Sequence, residues 1–335
     1  MLSPRENFLR ALRHEPTEYT PIATLDAYWG RGGIGWLDSG PPEGGLDGFG
    51  VNFVREDSVG MAKMPEPGAF VLKDITEWKK VVTIPDLDAI DWEKAAETTP
   101  APDPAKVGKT SCGWGVFTRL NFLMGFEGAL VAMMTEPEAV HEFFDAFTEY
   151  RIKYCEKVVK YFKPDILDYF DDIASERSPF ISLETYKTMI KPYHKRAFSA
   201  IKDLGAIPAL HICGRAEDYV EEYIDAGAQA WTMVQPRNDI AGILEKYAGR
   251  LCIWDGYDAN GPAGYYGATK ETIQNEVRRC LNSYGPPLKG YFFDVGAVQY
   301  TSEQQDFRAK LQEYVVEACL EWRKEEFERL GIKQQ

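Results

Sequence analysis

From residue 165 onward the chain alternates short apolar runs with amphipathic stretches, without interruption to residue 330. Runs at 165–172, 206–213, 228–235, 251–255 and 290–295 have the length of strands. Each is followed by a helical pattern, at 182–200, 216–226, 240–247, 269–284 and 303–330. Such alternation predicts a parallel sheet with helices outside it. Segments 21–25 and 109–117 read as two earlier strands, which makes seven, and an eighth is expected between residues 47 and 72. Eight strands close a (β/α)8 barrel spanning residues 1–335 as a single domain. A doubly wound open sheet is the competitor, but no G-x-G-x-x-G follows the first strand. The barrel is the expected fold.

The N-terminal half is less regular. Ser3 and Pro4 suit the start of a short helix over 3–14, and helices are expected over 120–134 and 137–161. Residues 28–50 are rich in glycine and carry Trp29 and Trp36, so they read as a long loop of the kind that lids a substrate site. No internal repeat is found. Net charge is −14, which disfavours nucleic acid and anionic membranes as partners. No apolar run approaches the roughly 20 residues that a membrane helix needs. The N-terminus lacks a signal peptide's apolar region. Six cysteines without a CxxC pair point to a reduced, cytoplasmic protein.

In a barrel of this type the chemistry sits at the C-terminal ends of the strands. Those ends carry Asp171, Asp172, His211, Cys213, Gln235, Asp255 and Asp294, with Arg31, Arg119, Arg177, Arg215 and Arg237 in or near the loops that follow. His211 and Cys213 are two apart on one strand and face the same side, which is half of a zinc site. A core histidine beside a cysteine acting as a small hydrophobe satisfies the same spacing. Asp171 and Asp172 are candidate acids for catalysis, and as adjacent strand residues only one of them should point into the barrel. Trp29, Arg31, Gln235, Asp255 and Asp294 are candidate substrate contacts. Trp36, Trp114 and Trp254 suit an apolar pocket alongside Trp29.

Several motifs occur together in order: Arg5-Glu-Asn-Phe-Leu-Arg-Ala-Leu-Arg-His-Glu-Pro16 with Pro21-Ile, Gly125-Phe-Glu-Gly, Met134-Thr-Glu-Pro-Glu-Ala-Val140, Asp171-Asp172 with Lys191-Pro192, and His211-Ile-Cys-Gly214. In these the chain resembles the uroporphyrinogen decarboxylase superfamily over nearly its whole length. Its decarboxylases share an arginine-rich segment after the first strand, where this chain has Asp26-Ala-Tyr-Trp-Gly-Arg-Gly-Gly33. Their late Gly-His motif is replaced by Asp294-Val-Gly-Ala-Val298. The corrinoid-dependent methyltransferases of the superfamily are similar in the His-x-Cys-Gly pair, and the aryl ether demethylase components belong with them. In that branch zinc is held by this His, this Cys and a second Cys after the last strand, where Gly296-Ala297-Val298 stands here. Asp172, Glu176, Asp255 and Asp294 are the candidates for a third ligand.

The resemblance implies a methyltransferase that moves a methyl group between a small methyl ether or methylamine and a corrinoid. No D-x-H-x-x-G corrinoid-anchoring motif is present, so the cofactor is expected on a partner protein. Zinc at His211 and Cys213 is the implied metal. Barrels of this family often pair, so a homodimer is compatible with the reading. A carboxylate-substrate decarboxylase and a ligand-binding barrel without turnover are the alternatives.

Overall fold

The computed structural model describes residues 1–30, 34–55, 62–99, 103–285, 290–296, 298 and 300–333. Among the described residues ten strands form two sheets: β1 (Ala27–Trp29), β2 (Gly45–Leu46), β3 (Asn52–Arg55), β4 (Lys63–Pro65), β5 (Val107–Trp114), β6 (Ile166–Phe170), β7 (Ile207–His211), β8 (Ala230–Val234), β9 (Cys252–Asp255) and β10 (Tyr291–Phe292). Seven of them make one parallel sheet in the order β1-β5-β6-β7-β8-β9-β10. The sheet curls until Ile22 meets Phe293 in a parallel bridge, and Thr24 N–H donates to the Phe293 carbonyl at 3.2 Å. Both edges of the sheet thus meet one stretch of chain, residues 22–29. The molecule is a single-domain barrel of the (β/α)8 kind.

Two expectations about the strands need correction. The first barrel strand, expected at 21–25, is interrupted: Ala23–Asp26 is a helical turn and the strand proper is β1. Asp26 imposes the break, since its carboxylate accepts Ile22 N–H at 3.0 Å and is gripped by Arg323 at 2.6 and 2.7 Å. Among the described residues between 47 and 72, where the eighth strand is expected, none joins the wall; β3 and β4 instead pair with β2 in a separate antiparallel sheet.

Alternation along each strand sorts side chains to the two faces. Val107, Ile166, Ile207, Ala209, Ala230, Cys252 and Phe292 pack inward against Phe8, Leu9 and Leu12 of the helix Pro4–Leu12, which stoppers the N-terminal end of the barrel. Leu167, Tyr169, Leu210, Trp231 and Ile253 face outward into the larger core shared with the helices. Lys109, Asp168, Thr232 and His211 share the inward parity, one or two steps nearer the strands' C-terminal ends. The interior is therefore apolar at one end and polar at the other. That gradient places the chemistry.

The helices match the alternation: Val116–Met124, Phe126–Thr135 and Pro137–Phe162 after β5, then Lys191–Asp203, Val220–Ala226, Ile240–Tyr247, Lys270–Tyr284 and Gln305–Leu330 after successive strands. Among the described residues no single helix is long and apolar enough to cross a membrane. Between Ser182 and Lys191 the chain passes through a π turn, Tyr186–Ile190, before Pro192 opens the next helix without an N–H to donate.

The segment after β1 is no free lid. Arg119 binds Asp47 at 2.6 Å and Asp38 at 3.0 Å, and Arg151 binds Asp38 at 2.7 and 3.0 Å, all four side chains being buried. Asp47 also accepts the amides of Phe49 and Val51 at 2.9 Å each. Gly113, at φ +84°, passes so close that a Cβ there would lie 2.2 Å from both Arg151 Nη1 and Asp38 Oδ2. The loop is riveted to two helices.

Candidate metal centre and chamber

His211 ends β7 and Cys213 follows it on the same side, with Sγ and Nε2 3.4 Å apart. Asp172, just past β6, completes the group: one carboxylate oxygen, one imidazole nitrogen and the thiol sulfur all lie within 4.8 Å of one another. The backbone holds them there. Cys213 N–H donates to Asp172 Oδ1 at 2.7 Å, Asp172 N–H to Thr118 Oγ1 at 3.0 Å, and Asp171 N–H to the His211 carbonyl at 3.0 Å. The His211 ring stacks on Phe170 with centroids 3.9 Å apart. Its Nδ1 is buried with no hydrogen-bond partner among the described residues.

Burial lowers the His211 pKa against the opposing charges of Asp172 and Asp168, so the imidazole is neutral and a lone pair is available. Burial, and after it the Asp172 and Asp255 charges, pushes the Cys213 thiol up. A thiol in such a place ionises when a cation sits beside it. A neutral imidazole, a latent thiolate and a carboxylate converging on one point are the donor set of a borderline-soft divalent metal. Three protein donors leave a position open for substrate. The residues fit a metal.

Beside the group lies a cavity of about 380 Å³ lined by Trp29, Ile34, Trp114, Tyr154 and Phe170, among others. Phe170 is shared between cavity and centre. A space of this size takes a small molecule. Nearby, Lys109 Nζ lies 4.5 Å from the Trp29 ring and 4.4 Å from the Trp254 ring, with Asp168 at 3.1 Å; Asp168 also accepts from Thr232 at 2.9 Å. Sequence reading missed Lys109. The available signal was its parity, two residues after inward-facing Val107.

The expected site residues divide by position. Asp172, His211 and Cys213 come together, and Trp29 lines the cavity. Asp171 is fully buried on the outer face, where it accepts Thr118 N–H at 2.8 Å and pairs with His194. Asp255 ends β9 at φ +105°, an uncommon conformation for a residue with a side chain, and burial followed by the Asp294 charge raises its carboxyl well above the usual range. Asp294 accepts from Trp254 Nε1 at 3.0 Å and Thr24 Oγ1 at 3.2 Å. Gln235 opens the turn after β8, its carbonyl accepting Asn238 N–H. Glu176 pairs with Arg237 on the surface, and Trp36 is exposed. Arg31 lies outside the described residues.

The uroporphyrinogen decarboxylase (URO-D) family model matches residues 102–306, which run from before β5 to the start of the last helix. The chain belongs to the uroporphyrinogen decarboxylase family. A curated relative, the methylated-thiol–coenzyme M methyltransferase of Methanosarcina mazei, is 28% identical over 181 residues, covering 52% of this chain and 48% of the relative. The chain thus spans about half the length of that relative. A solved methyltransferase from Methanosarcina mazei superposes with a TM-score of 0.65 at 14% identity, covering 96% of this chain and 99% of that one, a likeness of fold.

Within this uroporphyrinogen decarboxylase family barrel, the place after the last strand where the resemblance led to a second cysteine has a physical occupant. A Cβ on Gly296 would lie 1.9 Å from Asp255 Oδ2. The Asp255 carboxyl fills the space that a side chain at 296 would take.

Proposed function

We propose that this chain is a methyltransferase that moves a methyl group between a small methyl ether or methylamine and a corrinoid carried by a partner protein, with zinc held by Asp172, His211 and Cys213. The observation that carries the proposal is the convergence of those three donors beside a small-molecule cavity at the C-terminal end of a barrel of this family. The curated methyltransferase relative supports methyl transfer as the reaction class. The cavity's size suits a small molecule, which supports a corrinoid carried by a separate protein.

Asp172, His211 and Cys213 would hold the zinc, which would favour the Cys213 thiolate and supply a Lewis acid for the heteroatom that bears the methyl group. The protein does the rest. Trp29, Trp114 and Phe170 wall the methyl-bearing part of the substrate from water. The Cys213 N–H fixes the Asp172 carboxylate beside the His211 and Cys213 side chains. Asp255, at the C-terminal end of β9 with a carboxyl that burial and then the Asp294 charge raise, would supply the proton for the departing heteroatom. The decarboxylase alternative is disfavoured by the arginines. Arg119 is consumed by Asp38 and Asp47, Arg215 by Glu217, and Arg237 by Glu176, so these three offer little to a polycarboxylate.

Elemental analysis of protein purified without added metal tests the metal reading. About one zinc per chain is expected, falling below a tenth in folded His211→Ala and Cys213→Ala variants. A folded wild type without metal that retains activity would remove the Lewis-acid role.

A further inference from the structure

We infer that Tyr186, His194 and Asp171 form a buried positioning relay that sets the affinity of the Asp172–His211–Cys213 centre for its metal; this rests on the metal reading above. All three relay side chains have 0% relative exposure. Tyr186 Oη is 3.0 Å from His194 Nδ1, and His194 Nε2 is 2.8 Å from Asp171 Oδ2. Asp171 Oδ1 accepts Thr118 N–H at 2.8 Å and Oδ2 lies 3.4 Å from Phe117 N, so the carboxylate caps the helix Val116–Met124 from outside. Gly115 leaves the room for this, since a Cβ there would lie 2.4 Å from Asp171 Cγ.

The relay stands directly behind the donors. Asp171 precedes Asp172, and its own N–H holds the His211 carbonyl. Thr118, whose amide Asp171 binds, uses its hydroxyl to accept Asp172 N–H. Thus the main chains of two proposed ligands, Asp172 and His211, are tied to atoms that the relay fixes. The Asp171 carboxylate settles the tautomer: it accepts from Nε2–H, which leaves Nδ1 of the neutral ring to accept from the Tyr186 hydroxyl. None of the three side chains is placed to touch substrate. They act through Asp172. Groups that orient metal ligands from behind are typically worth about 10- to 100-fold in metal affinity.

The test is titration of the metal-free full-length protein with cobalt(II), following the thiolate–cobalt absorption, in wild type, His194→Asn, His194→Gln and Tyr186→Phe. Glutamine places its amide nitrogen near the position of Nε2 and can still donate to Asp171, whereas asparagine cannot reach. We expect His194→Asn to weaken cobalt binding by about 10- to 100-fold and shift the absorption, with His194→Gln restoring both. Tyr186→Phe should weaken binding about threefold. Val315→Ala, a buried truncation in the helix packed on Lys270–Tyr284, controls for lost stability and should bind as wild type does. Equal cobalt affinity in wild type and a folded His194→Asn overturns the relay while leaving the metal centre standing. If His194→Asn does not fold, unchanged affinity in Tyr186→Phe overturns it. A wild type that binds no cobalt overturns the metal reading, and the relay with it.

Discussion

Asp172 Oδ1 accepts the backbone N–H of Cys213 at 2.7 Å, so the carboxylate of the donor set is fixed by the residue that carries its thiol. The neighbouring Asp171 faces the other way, fully buried against His194. This opposition makes the two aspartates separable by experiment. Asp172→Asn keeps an acceptor for Cys213 and loses only charge, so metal affinity should fall by about 10- to 100-fold while stability changes by less than about 0.5 kcal/mol. Asp171→Asn leaves His194 and a helix terminus imperfectly satisfied in a dry site and should cost about 2 kcal/mol. Cobalt(II) titration reads the affinity, and urea unfolding of the metal-free proteins reads the two stabilities. The reverse ranking in stability would show that the faces have been misassigned.

The buried network around Arg119 predicts a large stability effect far from the donors. Arg119→Ala strands Asp47 and removes one of the two cations on Asp38, both carboxylates being buried. Breaking a buried pair on one side typically costs about 3–5 kcal/mol. Chemical denaturation should show a loss of that size. A loss under about 1 kcal/mol would mean that the segment 34–50 is not held by these pairs.

Asp255 predicts a pH dependence. Burial, and then the Asp294 charge, raises its carboxyl in the folded state. A carboxyl raised on folding contributes its stability fully below the unfolded value of about 3.9 and loses it as pH rises toward the folded value. Asp255→Asn removes this titration, and asparagine tolerates the positive φ. The variant should match wild type near pH 4 and then exceed it increasingly toward pH 8, by about 1.4 kcal/mol for each pH unit over which Asp255 stays protonated in the fold. Urea midpoints of the metal-free proteins at pH 4, 6 and 8 measure it. A difference that does not change with pH would show that Asp255 is ionised throughout.

Much of this arrangement was legible in the amino-acid order because period-two alternation is a local property. It put His211 and Cys213 on one face, sent Asp171 and Asp172 to opposite faces, and placed the strands of the C-terminal half. What it could not show depends on partners distant in sequence. Asp26 breaks the first strand because Arg323 is there to hold it, and nothing within 290 residues of Asp26 announces that pairing. The loop after β1 reads as a lid because of its glycines and length, whereas Asp38 and Asp47 acquire their anchors only once Arg119 and Arg151 fold over them. Lys109 reads as a surface lysine until the barrel closes Trp29 and Trp254 around it. His194 lies in an ordinary amphipathic helix, and only its contact with Asp171 gives it a role.

The central claim is methyl transfer at the Asp172–His211–Cys213 centre. Its most direct test is methylcobalamin formation from cobalt(I) cobalamin, followed spectroscopically with zinc-loaded wild type and Cys213→Ala across a panel of methyl ethers and methylamines. The account predicts methylcobalamin from at least one donor, at a rate roughly 100-fold or more above the Cys213→Ala variant. Equal rates in the two proteins, or no methylcobalamin from any donor with zinc-loaded wild type, would contradict it.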